Sequence, residues 1–186
     1  MFVTIPLPCP PELMDLALPL MQRLQRAQHP ALPGHTFEIH DWALSTAGRL
    51  YYSASDLRAA IASSQGSLRA WTLCLGTRHG DGYMREACVR QLIHIDQPWV
   101  MPFVVQLIGE YVAEIAQVVL NALPAVNAAS YATFVRRNAG FVATTRRRAT
   151  SYWSCYYRQQ YSALRDYPGI MALDVIEEMA RSSTSS

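Results

Sequence analysis

The chain contains no lysine. All 16 of its basic residues are arginine, so its strongly basic side chains are planar, stay charged when buried and can fork onto a carboxylate or a phosphate. A GC-rich coding sequence is enough to explain that bias. Charge of either sign is scarce: charged residues make up 16% and hydrophobic residues 51%. That balance excludes a disordered chain. A chain of 186 residues can bury a core of its own. Mean hydropathy is near zero, which leaves apolar surface for a partner.

Other absences narrow the chemistry. There is no CxxC pair among Cys9, Cys74, Cys88 and Cys155, so zinc ribbons and thioredoxin-type redox chemistry are excluded, and a reducing compartment is expected. HExxH, GxSxG, GxGxxG and the P-loop are all missing. The histidines His29, His35, His40, His79 and His94 have no metal-binding spacing. Cys155, flanked by aromatics and arginine, reads as structural and not as a nucleophile. Glu177 and Glu178 are adjacent, so on a helix they diverge and read as surface charge. The expectation is a non-enzymatic protein with no metal and no cofactor. No apolar run approaches the ~20 residues that span a bilayer. The opening MFVTIPLPCPP has no basic stretch before an apolar one, so no secretory leader is expected. Cytoplasmic location follows as the expectation.

No stretch alternates with period two between turn signals, so no strand is expected. Helical spacing is present instead. Pro11 suits a first turn, and Leu13, Leu16, Leu20 and Leu24 recur at helical intervals to about Gln28, with a kink at Pro19. His29–Thr36 reads as a loop and 37–50 as a short helix. Ser53 or Ser55 can cap a helix over 56–63, and Ser67 one over 67–78. After the turn Gly80-Asp81-Gly82 comes a helix from Tyr83 to His94. It is expected to bury Met84, Ala87, Cys88, Gln91 or Leu92, and Ile95. Asp96 with Pro98 starts another, Gly109 breaks it, and Tyr111–Leu123 continues. Helices then follow over 131–138, 144–165 and 170–180. The fold class is all-α, one domain over 1–181, with a disordered tail at 182–186.

Two segments repeat a pattern. Tyr83-Met84-Arg85-Glu86, with Cys88 beyond, matches Tyr111-Val112-Ala113-Glu114, with Ala116 beyond. This resembles HEAT repeats, whose second helix carries a hydrophobic residue, an arginine and a small residue three further on. Ala113 stands where the arginine would, and Leu57-Arg58-Ala59-Ala60-Ile61 fits loosely. The resemblance covers about 55–123. It implies stacked antiparallel helix hairpins in a short α-solenoid, closed by capping helices over 131–181, the alternative being an irregular helical bundle. Small residues such as Ala87 and Ala116 would let the helices approach closely.

The most distinctive composition is TTRRRATSYWSCYYRQQYSALRDY, Thr144–Tyr167. On one long helix, Arg147, Ser151, Ser154, Arg158, Ser162 and Arg165 share a face. Tyr152, Trp153, Tyr156 and Tyr157 share the opposite one, toward the core. Arginine and aromatics are the residues of binding hot spots. Arg136, Arg137, Arg147, Arg148, Trp153, Tyr157, Arg158 and Arg165 are therefore the candidate binding residues. Glu110 and Glu114 could pair with these arginines and remove the patch. The first expectation is a protein-interaction scaffold. The alternatives are nucleic-acid binding through the same arginines and self-association of exposed helix faces.

Overall fold

A computed structural model describes residues 9–24, 32 and 34–183 of the chain. Pro10 leads into a single 3-10 turn, Pro11–Leu13, and then α1, Met14–Arg23. Leu13, Ala17, Leu20 and Leu24 are buried at a spacing of three to four. Leu16, expected on that stripe, is 58% exposed. Residues 1–8, the continuation over 25–28 and residues 29–31 and 33 of the expected loop lie outside the described residues.

The segment 37–50, expected to be helical, is an antiparallel hairpin. Its strands are β1, Thr36–Ile39, and β2, Trp42–Ser45, with Phe37 opposite Leu44 and Ile39 opposite Trp42. Phe37, Ile39 and Leu44 are buried. Four-residue strands are too short to show a period, and His40 at φ 51 supplies the tight turn without a glycine to announce it. Two isolated bridges, Leu32 to Arg49 and Leu50 to His79, lie beside the hairpin, and the further long elements of the described chain are helices: α2 Ala54–Ser63, α3 Gly66–Thr77, α4 Gly82–Leu92, α5 Met101–Ile108, α6 Ala113–Ala122, α7 Ala128–Arg137, α8 Ala139–Tyr152 and α9 Pro168–Ser182.

Local chemistry sets most boundaries. Ser53 accepts from Asp56 N (3.3 Å) at the start of α2, Asp81 from Tyr83 N (2.9 Å) at α4, and Asn127 from Ala129 N (3.1 Å) at α7. Each satisfies one of the donors that a helix start leaves open. Ser67 caps nothing; α3 begins at Gly66, at φ +53, after Gln65 and without a side-chain cap. Asp96 does not start α5 either, and instead accepts from Asn127 Nδ2 at 2.6 Å.

The core is continuous from α1 to α9. α3 packs on α4 and α5 on α6, with α4 against α6 and α3 against α5. Gly76 and Cys88 show how close α3 and α4 come: a Cβ on Gly76 would lie 2.2 Å from Cys88 Sγ. Ala116 is buried, whereas Ala87 and Gln91 face solvent. α9 packs against α5, α6, α7 and α8, burying Ile170, Leu173 and Ile176. Ser182 closes α9 and Ser183 donates to Ala180 O at 3.2 Å, so the first two residues of the expected tail are ordered. Residues 184–186 lie outside the description. No helix among the described residues is long and apolar enough to cross a membrane.

The expected helix 144–165 is shortened. α8 ends at Tyr152, a single π-turn covers Trp153–Tyr157, and the chain reverses before a 3-10 turn at Leu164–Asp166. Trp153 Nε1 donates to Tyr161 O at 2.8 Å, a bond that a continuous helix could not make.

Candidate functional site

Glu110 follows the C-terminal end of α5 and is 1% exposed. A buried carboxylate has to be paired, and this one takes three guanidiniums. Arg49 forks onto it with Nη1–Oε1 and Nη2–Oε2 both at 2.7 Å. Arg78 Nη2 donates to Oε1 at 2.5 Å, and Arg85 Nε is 3.1 Å from Oε2. Arg78 and Arg85 are themselves 1% and 0% exposed. The arginines come from the loop before α2, the end of α3 and the first turn of α4, so one carboxylate after α5 ties the α3–α4 turn to the distant loop before α2.

The backbone around them is braced by the same side chains. Arg78 Nε donates to Ala47 O (3.2 Å) and Nη2 to Gly48 O (2.7 Å). Arg85 Nη1 donates to His79 O (3.1 Å) and Gly80 O (2.9 Å). His79 accepts from Asp81 N at Nδ1 and donates from Nε2 to Tyr52 O, both at 3.0 Å. The Gly80-Asp81-Gly82 stretch is thus a braced helix–helix turn.

Electrostatics match this geometry. Burial alone would raise the Glu110 carboxyl, but Arg78, Arg49 and Arg85 overcome it and hold it below the usual range. Burial pushes Arg78 down to about 10. Glu110 opposes that shift, and Arg49 and Arg85 add to it. Three cations against one anion leave the cluster with excess positive charge. Arg78 Nη1 and Arg85 Nη2 are buried with no hydrogen-bond partner, and Arg85 Nε, although 3.1 Å from Glu110 Oε2, makes an ion pair without an aligned hydrogen bond.

Tyr111, next in the chain, connects this cluster to the surface. Its ring lies 5.7 Å from the Arg85 guanidinium, a cation–π distance, and it is 50% exposed. With Tyr152, Tyr156 and Tyr157 it lines a groove of about 590 Å³. Tyr111 and Tyr152 meet edge to face at 6.3 Å, and Tyr152 stacks on Tyr156 at 6.3 Å. Tyr157 is the anchor: its hydroxyl donates to Tyr111 O at 2.6 Å and accepts from Ala113 N at 3.3 Å. Behind it lie Tyr161 and the fully buried Tyr167. The expected burial of this aromatic face holds only in part. Tyr156 is 72% exposed, because the π-turn carries it past the last packed turn of α8.

The sequence-derived binding residues do not form one site. Trp153 and Tyr157 are half-buried beside the groove, and Arg158 lies over the Trp153 ring at 4.9 Å. Arg147 donates to Thr144 Oγ1 at 2.8 Å. Arg137 donates to His40 O at the hairpin tip at 2.7 Å, on the rim of a cleft of about 200 Å³ between the hairpin and α7. Arg136 donates to Ser183 Oγ. Arg148 is exposed, yet close enough to His35 that, after burial, it is the main influence holding that imidazole below its ordinary value. Arg165 is exposed, 3.9 Å from Asp166.

Glu110 pairs with none of these arginines. Arg146 is the one that is neutralised, by Asp174 (2.8 Å) and Glu177 (3.0 Å) on α9. Glu177 is therefore a helix–helix contact as well as surface charge. Arg136, Arg137, Arg147, Arg148 and Arg158 make no ion pair among the described residues.

Arg49, Arg78, Arg85, Glu110, Tyr111, Tyr152 and Tyr156 were absent from the sequence-derived set. Two signals pointed toward them: Arg85 and Tyr111 sit in the repeated pattern, and Glu110 interrupts an otherwise apolar run. No group of three or more His, Cys, Asp or Glu among the described residues could hold a metal ion. Cys9, Cys74 and Cys88 are buried free thiols and Cys155 is exposed. Burial pushes Cys88 up to about 12 and Cys74 upward as well, away from thiolate chemistry.

Comparison with family models, with curated proteins and with solved structures finds no match to this chain.

Proposed function

We propose that the chain is a non-enzymatic protein-interaction module built from stacked helix hairpins, and that its partner docks in the groove of Tyr111, Tyr152, Tyr156 and Tyr157. The observation that carries this reading is the exposure of Tyr156 and Tyr111, at 72% and 50%, on the walls of that groove. Exposed tyrosines in a concave site bring large contact area at low entropic cost. The backbone at Tyr111 is already held by Tyr157, so less ordering remains for binding on that wall. Arg158, following Tyr157 in the chain, favours a segment with an aromatic or apolar anchor flanked by acidic residues. The packing of α3 on α4, α5 on α6 and α4 on α6 supports the HEAT-like hairpin arrangement.

Peptide display against the full chain tests this. Selected sequences should carry an aromatic or large apolar residue near acids. Their affinity should fall about tenfold or more with Tyr156→Ala, a change at an exposed ring that leaves the fold intact. Binding indifferent to both Tyr156→Ala and Tyr111→Ala would overturn the reading.

A second reading, nucleic-acid binding, is favoured by the exposed arginines that lack carboxylate partners. Binding of a labelled mixed-sequence DNA or RNA should then weaken steeply with salt and be lost when Arg136, Arg137, Arg147 and Arg148 are changed to Ala. Arg146 is left out of that variant because it holds α8 to α9. No binding at low salt removes this reading.

A further inference from the structure

The buried arginine cluster is unbalanced in charge and in hydrogen bonding, and both imbalances point the same way. Arg49, Arg78 and Arg85 surround a single carboxylate, Glu110. Two positive charges are in excess, and while Arg49 is 16% exposed, Arg78 and Arg85 are shut off from water. Arg78 Nη1 and Arg85 Nη2 are buried donors with nothing to donate to. Native proteins rarely leave such groups unmet, and an ion is one of the usual answers.

We propose that this cluster is a binding site for a tetrahedral dianion, a sulfate or a phosphate group, held by Arg78 and Arg85 beside Glu110. Charge selects the class, because a dianion cancels the excess that a chloride or a second carboxylate would only halve. Shape selects it too. The open donors belong to two different guanidiniums, so an acceptor with oxygens in several directions suits them better than a planar carboxylate. Tyr111 is the cover. Its ring sits over Arg85 and is half-exposed, while its carbonyl is pinned by Tyr157; ring rotation opens the route without moving the backbone. The site stands whether or not the tyrosine groove takes a protein.

The test is calorimetric titration of the purified full chain with sodium sulfate, and with sodium nitrate, at constant ionic strength. Saturable sulfate binding with little nitrate binding is expected, together with a rise in melting temperature that follows sulfate occupancy. Arg85→Gln should weaken sulfate about tenfold or more, and Tyr111→Ala should speed association. Because Arg85 also braces the turn at Gly80, its variant could unfold; the wild-type contrast of sulfate with nitrate decides alone. Phenyl phosphate against inorganic phosphate separates the sources. Tighter binding of phenyl phosphate assigns the anion to a ligand whose body lies among the tyrosines, and equal binding assigns a free ion. Equal, non-saturating responses to sulfate and nitrate, or a crystal grown in sulfate with only water at Arg78 Nη1 and Arg85 Nη2, would overturn the proposal.

Discussion

Arg78 Nη2 lies 2.5 Å from Glu110 Oε1, and neither side chain reaches solvent. The pair joins the end of α3 to the end of α5, and it brings Arg49 and Arg85 with it. Removing one member of such a set leaves the others charged and buried, which costs more than the lost contact. Changing Glu110→Gln should therefore destabilise the fold by about 3–5 kcal/mol, read from urea denaturation. A loss within experimental error would show that the arginines find other partners.

The pH dependence of stability follows from two groups whose folded-state pKa values are depressed. His35 is held low by burial, then by Arg148 and Arg78. Glu110 is held low because its three arginines outweigh burial. Both bind protons more readily in the unfolded chain, so their stabilisation is complete above the ordinary values and is lost as pH falls. The free energy of unfolding should begin to drop below about pH 6.5 through His35 and drop more steeply below about pH 4 through Glu110. Urea titrations across that range measure it; rising stability on acidification would contradict the assignment.

Gly76 marks the closest approach of α3 to α4. A Cβ there would meet Cys88 Sγ at 2.2 Å, so Gly76→Ala should cost about 1–3 kcal/mol of overpacking. Cys88→Ala removes the sulfur and should recover part of the loss. A double-mutant cycle without coupling would exclude the contact as the cause.

Asn138 holds the hairpin to the helices. Its Oδ1 accepts from Glu38 N at 2.9 Å and its Nδ2 donates to Glu38 O and Phe134 O, both at 3.1 Å. Asn138→Ala would leave Glu38 N and O unmet, while Phe134 O keeps the bond from the residue-138 backbone N–H (2.9 Å); the cost should be about 1–3 kcal/mol. The Glu38 amide should lose protection from hydrogen exchange well before the amides of α5.

Tyr157→Phe tests the frame of the groove. It removes the donor to Tyr111 O and the acceptor for Ala113 N and should lower stability by about 1–2 kcal/mol. The backbone at Tyr111 would then be less well fixed, seen as faster exchange of the Ala113 amide.

Some caps and turns wrote themselves into the sequence. Ser53 starts α2 because its oxygen satisfies a donor three residues away, and such chemistry needs no distant partner, although Ser67 and Asp96, equally suited by residue type, cap no helix. The buried stripe of α4, with Met84, Cys88 and Leu92, is local in the same sense. The all-α class rests on this, and so does the attention drawn to Trp153, Tyr157 and Arg158. The hairpin at 36–45 was hidden because its four-residue strands are too short to show a period and its turn carries no glycine; its outer edge is then held by Asn138, a hundred positions on from Glu38. The end of α8 depends on Trp153 reaching Tyr161, which helical periodicity does not record. Above all, a sequence states how many arginines it has but not which carboxylate each will find. Arg146 went to Asp174 and Glu177, and Glu110 went to Arg49, Arg78 and Arg85. A helix turn sets the distance of local pairs such as Glu86 with Arg90, but for these distant partners tertiary packing alone sets it.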